Sequence, residues 1–512
     1  MSGSKLAGTR TDKPVVHIIF PYKAGRTDGV RAPRSDSGVA PMRPLPIFVL
    51  GALARRHGWH VETSDESLEP LPEGRPDLVM ITGWTTLIAS AYLLADSYRE
   101  QGIPVVMGGV HPSLLPGEAL RHADSVVTGE AESVMGEVLA DAAAGRLKPL
   151  YEGGLADMRD VPSVTEYADL YMKGRLRWVP THGIQTSRGC RYNCSFCSVI
   201  RINGRGMRHM EPDRVVEELR AISRLKPRLP GPTPVYLHDD DLMSDPEYTR
   251  SLFEAIVRSK LKLGIVCQTS IGMARDTELL DLAHRAGMFS MFVGLESISR
   301  DGLVQVNKKN RPHEYKDLIK RLHERGIGIT AGIIFGMDSD GPDIFDRTVE
   351  FLDEIEVDNA HMSLLTPLPG TQTFADLYEQ GRIVDLDWAK FDLRHAVFEP
   401  ERMTSEQLRA GLWHAYRTFH AGPARRRRFW RQLRTESARL AVGFALGSRR
   451  YTRHLDEHLS DATLSYRPHP DDIRALLATS KAPASEAVAL AGRQLRDGGL
   501  TAQPVALRKP AM

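Results

Sequence analysis

Two series of short apolar runs alternate with stretches of helical periodicity along this chain, and each series predicts a parallel β-sheet. In the first series, an apolar run at Val15–Phe20 is followed by a helical pattern at Leu45–Arg56. Further short strands are expected at residues 59–63, 77–82, 104–107 and 124–128. Near-continuous apolar strands are typical of a sheet that helices cover on both faces. We therefore expect an α/β, Rossmann-like domain over residues 14–150.

The second series contains six predicted strands with five helices between them. The strands are expected at residues 184–187, 235–238, 263–268, 290–294, 329–335 and 359–364. A loop follows each strand, which is the pattern of a full or partial β/α barrel with its chemistry at the carboxyl ends of the strands. We assign this barrel to residues 183–372, after a linker at residues 151–182.

The strand pattern stops near Thr373. Residues 373–480 are predicted to form a mostly helical domain, with helices at residues 404–420 and 425–460. Residues 1–13 are polar and are expected to be a disordered lead. Residues 481–512 are rich in Ala, Pro, Gly and Ser and are expected to be a flexible tail.

Composition excludes several classes of protein. The 67 basic and 65 acidic residues almost balance, which argues against a dedicated partner of nucleic acid. The chain contains no apolar run long enough for a transmembrane helix, and its first residues lack the apolar core of a secretory signal. We therefore expect a cytoplasmic protein.

Candidate metal chemistry is concentrated in one short string. Of four cysteines, Cys190, Cys194 and Cys197 fall within eight residues, directly after the first barrel strand. Thiolates suit iron–sulfur clusters or zinc, and three of them leave one iron of a four-iron cluster open. The alternative is a zinc knuckle with His182 as the fourth ligand. Cys267 lies on a predicted strand and is interpreted as a buried small apolar residue.

The Cys-x-x-x-Cys-x-x-Cys spacing, with Phe196 before the last cysteine, resembles the signature of the radical S-adenosylmethionine (SAM) superfamily. The resemblance covers roughly residues 183–372. It implies a partial (β/α)6, TIM-like barrel and a [4Fe–4S] cluster whose open iron binds SAM. It also implies an external electron donor of the flavodoxin or ferredoxin type and a 5′-deoxyadenosyl radical as the reactive species.

The same resemblance implies SAM-binding residues at the strand ends. They are Asp239, Asp240, Gln268, Glu296, Ser297 and Gly332. Four of them have a second interpretation. The aspartates could form a solvated acidic turn, Glu296 could lie in the first turn of a helix, and Gly332 could mark a bend in the barrel.

The first domain resembles the cobalamin-binding domain that is fused to one subgroup of radical SAM enzymes. The resemblance rests on residues 41–46, 82–86, 107–112 and 127–132. It implies cobalamin contacts at strand ends from Gly83, Thr85, Thr86, Gly108, Gly109, His111, Gly129 and Glu130. The string Asp-x-His-x-x-Gly is absent, so no ligand is assigned to the lower face of the cobalt. The alternative is a degenerate module that binds nothing and serves docking.

The C-terminal region resembles the extension beside the barrel in this subgroup, which includes hopanoid methylases. It is expected to cap the barrel mouth, with Asp387, Asp392 and His395 as candidate polar groups of a pocket. The basic segment between Arg425 and Arg431 has two interpretations. One is weak contact with an anionic membrane or a lipid, and the other, which we favour, is a solvated helix face.

Together these features predict a cobalamin-dependent radical SAM enzyme. The expected reaction methylates an unactivated carbon of a small molecule, a specialised metabolite or a lipid, through a 5′-deoxyadenosyl radical and methylcobalamin. One alternative is a ring-forming or rearranging enzyme of the same subgroup that transfers no methyl group. Another is a non-catalytic sensor that binds an iron–sulfur cluster or SAM. A methylthio-transferring enzyme is disfavoured because no second cysteine triad precedes the barrel.

Overall fold

The structure is a computed structural model that describes residues 13–22, 43–179, 181–225, 231–435 and 464–497. Parts of several predicted segments lie outside these residues. They are residues 1–12 of the lead, residues 41–42 of the first cobalamin-domain string, the end of the predicted helix at 425–460, and residues 498–512 of the tail. The described residues form two six-stranded parallel sheets with helices around them.

The first sheet lies in the N-terminal domain. Its strands are β1 Val15–Phe20, β2 His60–Asp65, β3 Leu78–Thr82, β4 Val105–Gly108, β5 Ser125–Thr128 and β6 Leu150–Glu152. Their order is β2-β1-β3-β4-β5-β6, and all pairs are parallel. The chain reverses its direction of travel across the sheet between β1 and β3. In such sheets, ligands bind at the carboxyl ends of the strands on either side of this point.

Helices cover both faces of this sheet. They are α1 Leu45–Arg56, α2 Ile88–Glu100, α3 Val110–Leu114, α4 Pro116–Ala119 and α5 Met135–Ala143. Successive side chains of β3 explain the two layers. Met80 packs in one core with Phe48 of α1, and Ile81 packs in the other with Tyr92 of α2. The predicted doubly wound domain is therefore confirmed. Strand β6 was missed, because three residues carry no periodic signal.

The second sheet forms the barrel. Its strands are β7 His182–Ile184, β10 Thr233–Leu237, β11 Leu263–Thr269, β12 Met288–Glu296, β13 Gly328–Phe335 and β14 Asn359–Leu364, in that spatial order. Within the described residues β7 and β14 do not pair, so the barrel is partial. The predicted first strand, at residues 184–187, is wrong in its bounds. The chain leaves the sheet after Ile184, and Ser187–Arg188 (β8) pairs antiparallel with Arg208–His209 (β9).

The remaining helices flank the barrel and form the C-terminal region. They are α6 Ala168–Tyr171, α7 Val199–Ile202, α8 Pro212–Leu225, α9 Pro246–Ser259, α10 Thr277–Ala286, α11 Arg300–Gln305, α12 Tyr315–His323, α13 Ile344–Glu354, α14 Gln372–Glu379, α15 Ser405–Phe419, α16 Gly422–Thr435, α17 Pro470–Lys481 and α18 Ala487–Asp497. Local chemistry sets their ends. Asp276 begins α10 by accepting a hydrogen bond from the Leu279 backbone at 2.9 Å, and Gly287, at φ +102°, ends it.

The C-terminal region reaches back to the first domain. Helix α15 packs against α13 and β14, which agrees with the predicted helix at 404–420. Helix α18 packs against α3, α4 and β6, so the predicted flexible tail is wrong for residues 487–497. A 3.6-residue apolar pattern is present in this segment, but its Ala-rich composition obscured it. None of the described helices has the length and apolar content needed to cross a membrane.

Candidate active site

The three clustered cysteines lie on the loop between β8 and α7, at the carboxyl end of the barrel. Backbone hydrogen bonds shape this loop: Cys190 N–H donates to Gly204 at 3.3 Å and Cys197 N–H donates to Cys194 at 3.1 Å. The loop is also tied to the segment after α11, since Ser195 N–H donates to Val306 at 3.2 Å. All three cysteines are partly buried. The thiols are therefore held on one ordered loop that faces the barrel end.

Two of the predicted SAM residues, Asp239 and Asp240, hold this loop in place through hydrogen bonds. Asp239 Oδ1 accepts hydrogen bonds from Thr186 N at 3.1 Å, Thr186 Oγ1 at 2.8 Å and Ser187 Oγ at 2.6 Å. Asp240 Oδ2 accepts from Gly189 N and from Asn203 Nδ2, both at 3.0 Å. The aspartates are therefore not a solvated acidic turn. They connect the end of β10 to the residues that precede Cys190.

Asp239 carries a buried and partly unsatisfied carboxyl group. It is 3% exposed, and its Oδ2 has no hydrogen-bond partner among the described residues. Burial raises its pKa to about 6, against the hydrogen bonds from Ser187 and Thr186 that lower it. An acceptor oxygen is thus available beside the cysteine loop.

The donor set of the loop suits a four-iron cluster. Burial raises the pKa of all three thiols, that of Cys197 to about 12, so their thiolates need a positive partner. No group of three or more Cys, His, Asp or Glu side chains in the described ranges converges on a single metal ion. A four-iron cluster instead takes each thiolate on a different iron. His182 is fully buried on β7, with its ring 5.7 Å from that of Tyr171, so the zinc knuckle receives no support.

A buried ion pair, which sequence reasoning missed, lies beside the thiols. Lys308 Nζ donates to Glu296 Oε1 at 2.9 Å. Burial opposes the charge of Lys308, but its pKa is raised overall by Glu296 and by Cys194. The signal in the sequence was weak, because Lys308 stands in an ordinary polar loop after α11. The structure therefore adds one cation to the thiol environment.

Glu296 reaches this pair through an irregular strand end. Its backbone has φ +68°, and the pairing of β12 with β13 shifts register between Gly294 and Glu296. The carboxyl group folds back over Gly294, where a Cβ would lie 2.2 Å from Oε1. A non-glycine residue in this conformation is strained, and such strain is typical of functional sites. Glu296 is therefore part of the strand end and not a first-turn acid of α11.

The other predicted SAM residues lie at neighbouring strand ends. Gln268 is exposed, and its Nε2 donates to the Asp240 carbonyl at 3.3 Å. Ser297 Oγ accepts from Ser299 N at 3.0 Å, which supports the start of α11. Gly332 pairs with Gly294, and a Cβ on it would lie 3.1 Å from the Phe292 ring. The predicted set is thus gathered at one end of the barrel.

A cavity of about 620 Å³ lies between the first domain and this end of the barrel. The first domain supplies the carboxyl ends of β3, β4 and β5 and the start of α1. The barrel supplies Gln185, Arg188 and His238. Of the predicted cobalamin residues, Gly108, Gly109, Gly129 and Glu130 line this cavity. Gly83, Thr85, Thr86 and His111 do not contribute to its lining.

His111 and Thr85 take part in a different network. His111 is fully buried, with Nε2 at 2.9 Å from Glu118 Oε1 and Nδ1 at 3.2 Å from Thr85 Oγ1. Glu118 also accepts from Tyr92 and from Trp388 Nε1, at 3.0 and 3.1 Å. The predicted cobalamin role of His111 and Thr85 is therefore not supported by their position. They join the first domain to the C-terminal region.

Two aromatic residues of the cavity were not predicted. Phe20 ends β1 and Trp84 follows β3, and their rings meet edge to face at 5.3 Å. Trp84 is 49% exposed although it is a large apolar side chain. Both stand where the sheet reverses direction, the position at which these sheets bind ligands. Among the described lining residues His238, on the barrel side, is the one histidine, which agrees with the absent Asp-x-His-x-x-Gly string.

The C-terminal candidates are mostly occupied by internal contacts. Asp387 accepts from Ala389 N at 3.1 Å and from Tyr466 N at 3.0 Å, so it orders its own segment. Asp392 Oδ1 lies 2.9 Å from His395 Nδ1. In the basic segment, Arg428 donates to Asp353 at 2.7 Å, so this helix is not a uniformly solvated face. These contacts give no support to a membrane role for the segment.

Comparison with known proteins agrees with this architecture. The model of the radical SAM superfamily matches residues 184–352, and the model of the B12 binding domain matches residues 38–139. In fold, the chain resembles the radical SAM methyltransferase TsrM from Kitasatospora setae, solved with cobalamin and a [4Fe–4S] cluster. The TM-score is 0.57 at 17% identity, over 95% of this chain and 100% of that chain.

Curated relatives cover most of the chain. A bacteriochlorophyllide d C-12(1)-methyltransferase from Chlorobaculum tepidum is 31% identical over 404 residues, 76% of this chain and 85% of the relative. A hopanoid C-3 methylase from Methylococcus capsulatus is 26% identical over 71% of this chain and 73% of the relative. An anaerobic magnesium-protoporphyrin IX monomethyl ester cyclase from Cereibacter sphaeroides is also 26% identical, over 69% and 61%.

The two domain matches, their order along the chain and the relatives agree with the two adjacent sites in the structure. A sensor without catalysis is not supported by any of them. The chain belongs to the cobalamin-binding subgroup of radical SAM enzymes, and its cofactors are a [4Fe–4S] cluster, SAM and cobalamin.

Proposed function

We propose that this enzyme transfers a methyl group to an unactivated carbon of a small-molecule substrate. One observation carries the proposal: a single cavity is walled by the strand ends of the cobalamin domain and by the barrel residues next to the cysteine loop. When bound, the cluster and SAM supply a 5′-deoxyadenosyl radical, and cobalamin supplies the methyl group. Adjacent sites bring both reagents within reach of one substrate carbon.

In this proposal Cys190, Cys194 and Cys197 hold the cluster. The loop that carries them is restrained by Asp239 and Asp240, so these aspartates act as positioning residues. Preformed geometry matters, because a cluster bound by three thiols depends on their mutual placement. An external one-electron donor of the flavodoxin or ferredoxin type would reduce the cluster.

We assign SAM to the space between the cysteine loop and the end of β12. Glu296 and Lys308 offer a carboxylate and an ammonium group there, which match the opposite charges of the methionine part of SAM. Gln268 adds an exposed amide, whereas the Gly294–Gly332 pair is covered by the Glu296 carboxyl group and the Phe292 ring.

We assign cobalamin to the cavity of about 620 Å³. Gly108, Gly109 and Gly129 line it at the strand ends, where they contribute backbone atoms and no side chains. Phe20 and Trp84 present aromatic faces beside them. An indole or phenyl ring does not ligate cobalt, so these two residues would hold cobalamin by packing.

We place the substrate against the inner face of the barrel. Tyr236, Phe292 and His361 are half-buried on strands whose alternate side chains pack in the core, so they lie on the inner face of the barrel. Burial lowers the pKa of His361 to about 4, so its imidazole is neutral at physiological pH. An uncharged, aromatic inner face suits an apolar or flat small molecule, such as a lipid or a specialised metabolite.

The proposal is tested by anoxic reconstitution with iron, sulfide and cobalamin, followed by SAM, a strong reductant and candidate substrates. We expect 5′-deoxyadenosine and a product heavier by one CH₂ unit. Cys194→Ala should abolish 5′-deoxyadenosine. Cys267→Ala is the matched control, because this cysteine is fully buried on β11, away from the loop, and should preserve it.

The mass of the product separates the two reactions found among the relatives. A product that loses hydrogen without gaining carbon would favour ring formation, the reaction of the cyclases, and would contradict methyl transfer. Formation of 5′-deoxyadenosine without bound cobalamin would also contradict it, since no methyl donor would be present at the cavity.

A further inference from the structure

Two loops that the sequence presents as separate motifs meet at one cluster of charges. One follows β5 and contains Glu130 and Glu132, and the other contains Arg188, two residues before Cys190. Arg188 donates through Nη1 to Glu130 at 2.7 Å and through Nη2 to Glu132 at 2.6 Å. The loop of the cobalamin domain is therefore bonded directly to the loop of the cluster.

A second arginine completes the group. Arg208 on β9 donates through Nη1 and Nη2 to the two oxygens of Glu130, at 2.8 and 2.5 Å. Arg208 also pairs with Arg188 in the β8–β9 ladder, so both arginines belong to the base of the cysteine loop. Glu130 Oε2 accepts a further bond from Ala156 N at 2.9 Å. We call these four side chains, Glu130, Glu132, Arg188 and Arg208, the interdomain clamp.

The clamp is well shielded from water. Its side chains are between 5% and 18% exposed, and two positive charges face two negative ones. Burial raises the pKa of Glu130, but the arginines outweigh this and hold its pKa below the ordinary range. Removal of one partner from such a pair leaves a buried charge uncompensated, which is a large penalty. The two loops are therefore strongly coupled in position.

Both ends of the clamp touch the cobalamin cavity. Gly129, Glu130, Glu132 and Arg188 all line it. The residue after β6 packs so closely against this loop that a Cβ on Gly129 would lie 2.4 Å from the Gly153 carbonyl. A ligand that contacts this loop therefore acts on Glu130 and Glu132, which are bonded directly to Arg188. Since both oxygens of Glu130 are already bonded, it is a positioning residue and not a cobalamin ligand.

We propose that the interdomain clamp links cobalamin binding to cluster binding, so that each cofactor tightens the binding of the other. Order in the Gly129–Glu130 loop, imposed by cobalamin, holds Arg188 and with it the start of the cysteine loop. The reverse holds equally, because coupling between two sites is reciprocal. This linkage favours the fully loaded enzyme over forms that hold one cofactor.

The test is the dissociation constant of cobalamin for the full-length chain with and without its cluster, followed by quenching of tryptophan fluorescence under anoxic conditions. In the wild-type chain we expect cluster loading to tighten cobalamin binding about 5-fold or more, the lower end of typical coupling. Glu130→Gln should bring the ratio close to one. Glu137→Gln is the matched control, because it makes the same change at an exposed pair with Lys148.

A second readout runs in the opposite direction. Iron loss to a chelator should slow when cobalamin is added to the wild-type chain and should not change with cobalamin in Glu130→Gln. If Glu130→Gln does not fold, Glu132→Gln removes a smaller part of the clamp and should give an intermediate ratio. A wild-type ratio near one, or a full ratio in these variants, would overturn the proposal. The outcome is independent of methyl transfer, since no substrate or turnover is involved.

Discussion

The carboxyl group of Asp239 allows a prediction whose sign depends on pH. Burial raises its pKa from 3.8 to about 6, so the folded chain prefers the protonated form more than the unfolded chain does. The unfolded chain then binds fewer protons between about pH 4 and pH 6, and stability falls as pH rises through this window. The stabilisation by this group is complete below pH 4 and is lost above pH 6.

The magnitude follows from the two pKa values. The cost of the charged form is roughly 2 kcal/mol at about pH 5 and roughly 3 kcal/mol at about pH 7.5. Asp239→Asn keeps an acceptor oxygen for Thr186 and Ser187 but cannot ionise. Its stability relative to the wild-type chain should therefore rise by about 1 kcal/mol between pH 5 and pH 7.5. The cost of its buried amide N–H is constant across this range and cancels.

The assay is guanidinium unfolding of the cluster-free chain at both pH values, with Asp213→Asn as the control. Asp213 is 93% exposed and should show no difference that changes with pH. Asp239→Ala tests the hydrogen bonds of the carboxyl group. It removes three of them and leaves the Thr186 N–H without an acceptor. We therefore expect its free energy of unfolding to fall by about 3 kcal/mol at pH 5. If the Asn variant shows no pH-dependent gain, Asp239 is not a buried charge in the folded chain. If Asp239→Ala retains its cluster iron as well as wild type does, the carboxyl group does not hold the cysteine loop.

Three further predictions concern the neighbouring sites. Lys308→Met should weaken SAM binding about 10-fold or more in equilibrium dialysis, because it leaves Glu296 without its cation, and unchanged affinity would remove Lys308 from the site. Trp84→Ala should weaken cobalamin binding about 10-fold through lost aromatic contact, while Trp178→Ala, at a 71% exposed position outside the cavity, should have no effect. His111→Ala should destabilise the chain by about 2–4 kcal/mol by leaving Glu118 short of a partner, yet leave the absorption spectrum of bound cobalamin unchanged. A spectral change in that variant would indicate that His111 does contact the cobalt.

The cavity and the interdomain clamp both lie where the two domains meet. In the first domain, ligands are expected at the carboxyl ends of parallel strands, and the barrel follows the same rule. The cavity is accordingly lined by strand ends of the first domain and by barrel residues that precede the cysteine loop. The clamp fixes the distance between the loop after β5 and the cysteine loop.

Much of the architecture could be predicted from the periodicity of apolar residues along the chain. Apolar runs with helices between them predicted both parallel sheets, and the bounds of β1, α1 and β14 were predicted to the residue. These segments are long or strongly patterned, so local physics determines them. The shorter pieces, β6 and the β8–β9 ladder, were missed or misplaced because two or three residues carry no period.

The cysteine loop was also determined locally, since three thiols at fixed spacing lie on one continuous segment. The hydrogen-bonding partners of single polar residues were not determined locally. Glu130 and His111 stand in equally suggestive strings at strand ends, yet one lines the cavity and the other is buried against Glu118. Lys308 gave only a weak signal in the sequence, although it lies in the ion pair next to Cys194.

The difference between what the sequence determined and what the tertiary structure decided has a simple physical basis. The sequence by itself determines features that depend on neighbours along the chain, such as strand and helix periods, caps and the spacing of ligands. The clamp instead joins residues 56 to 78 positions apart, and the Glu118–Trp388 contact spans 270 positions. Only the packing of complete domains decides which of many chemically equivalent carboxylates meets which cation, because each such pair must also exclude water from both partners.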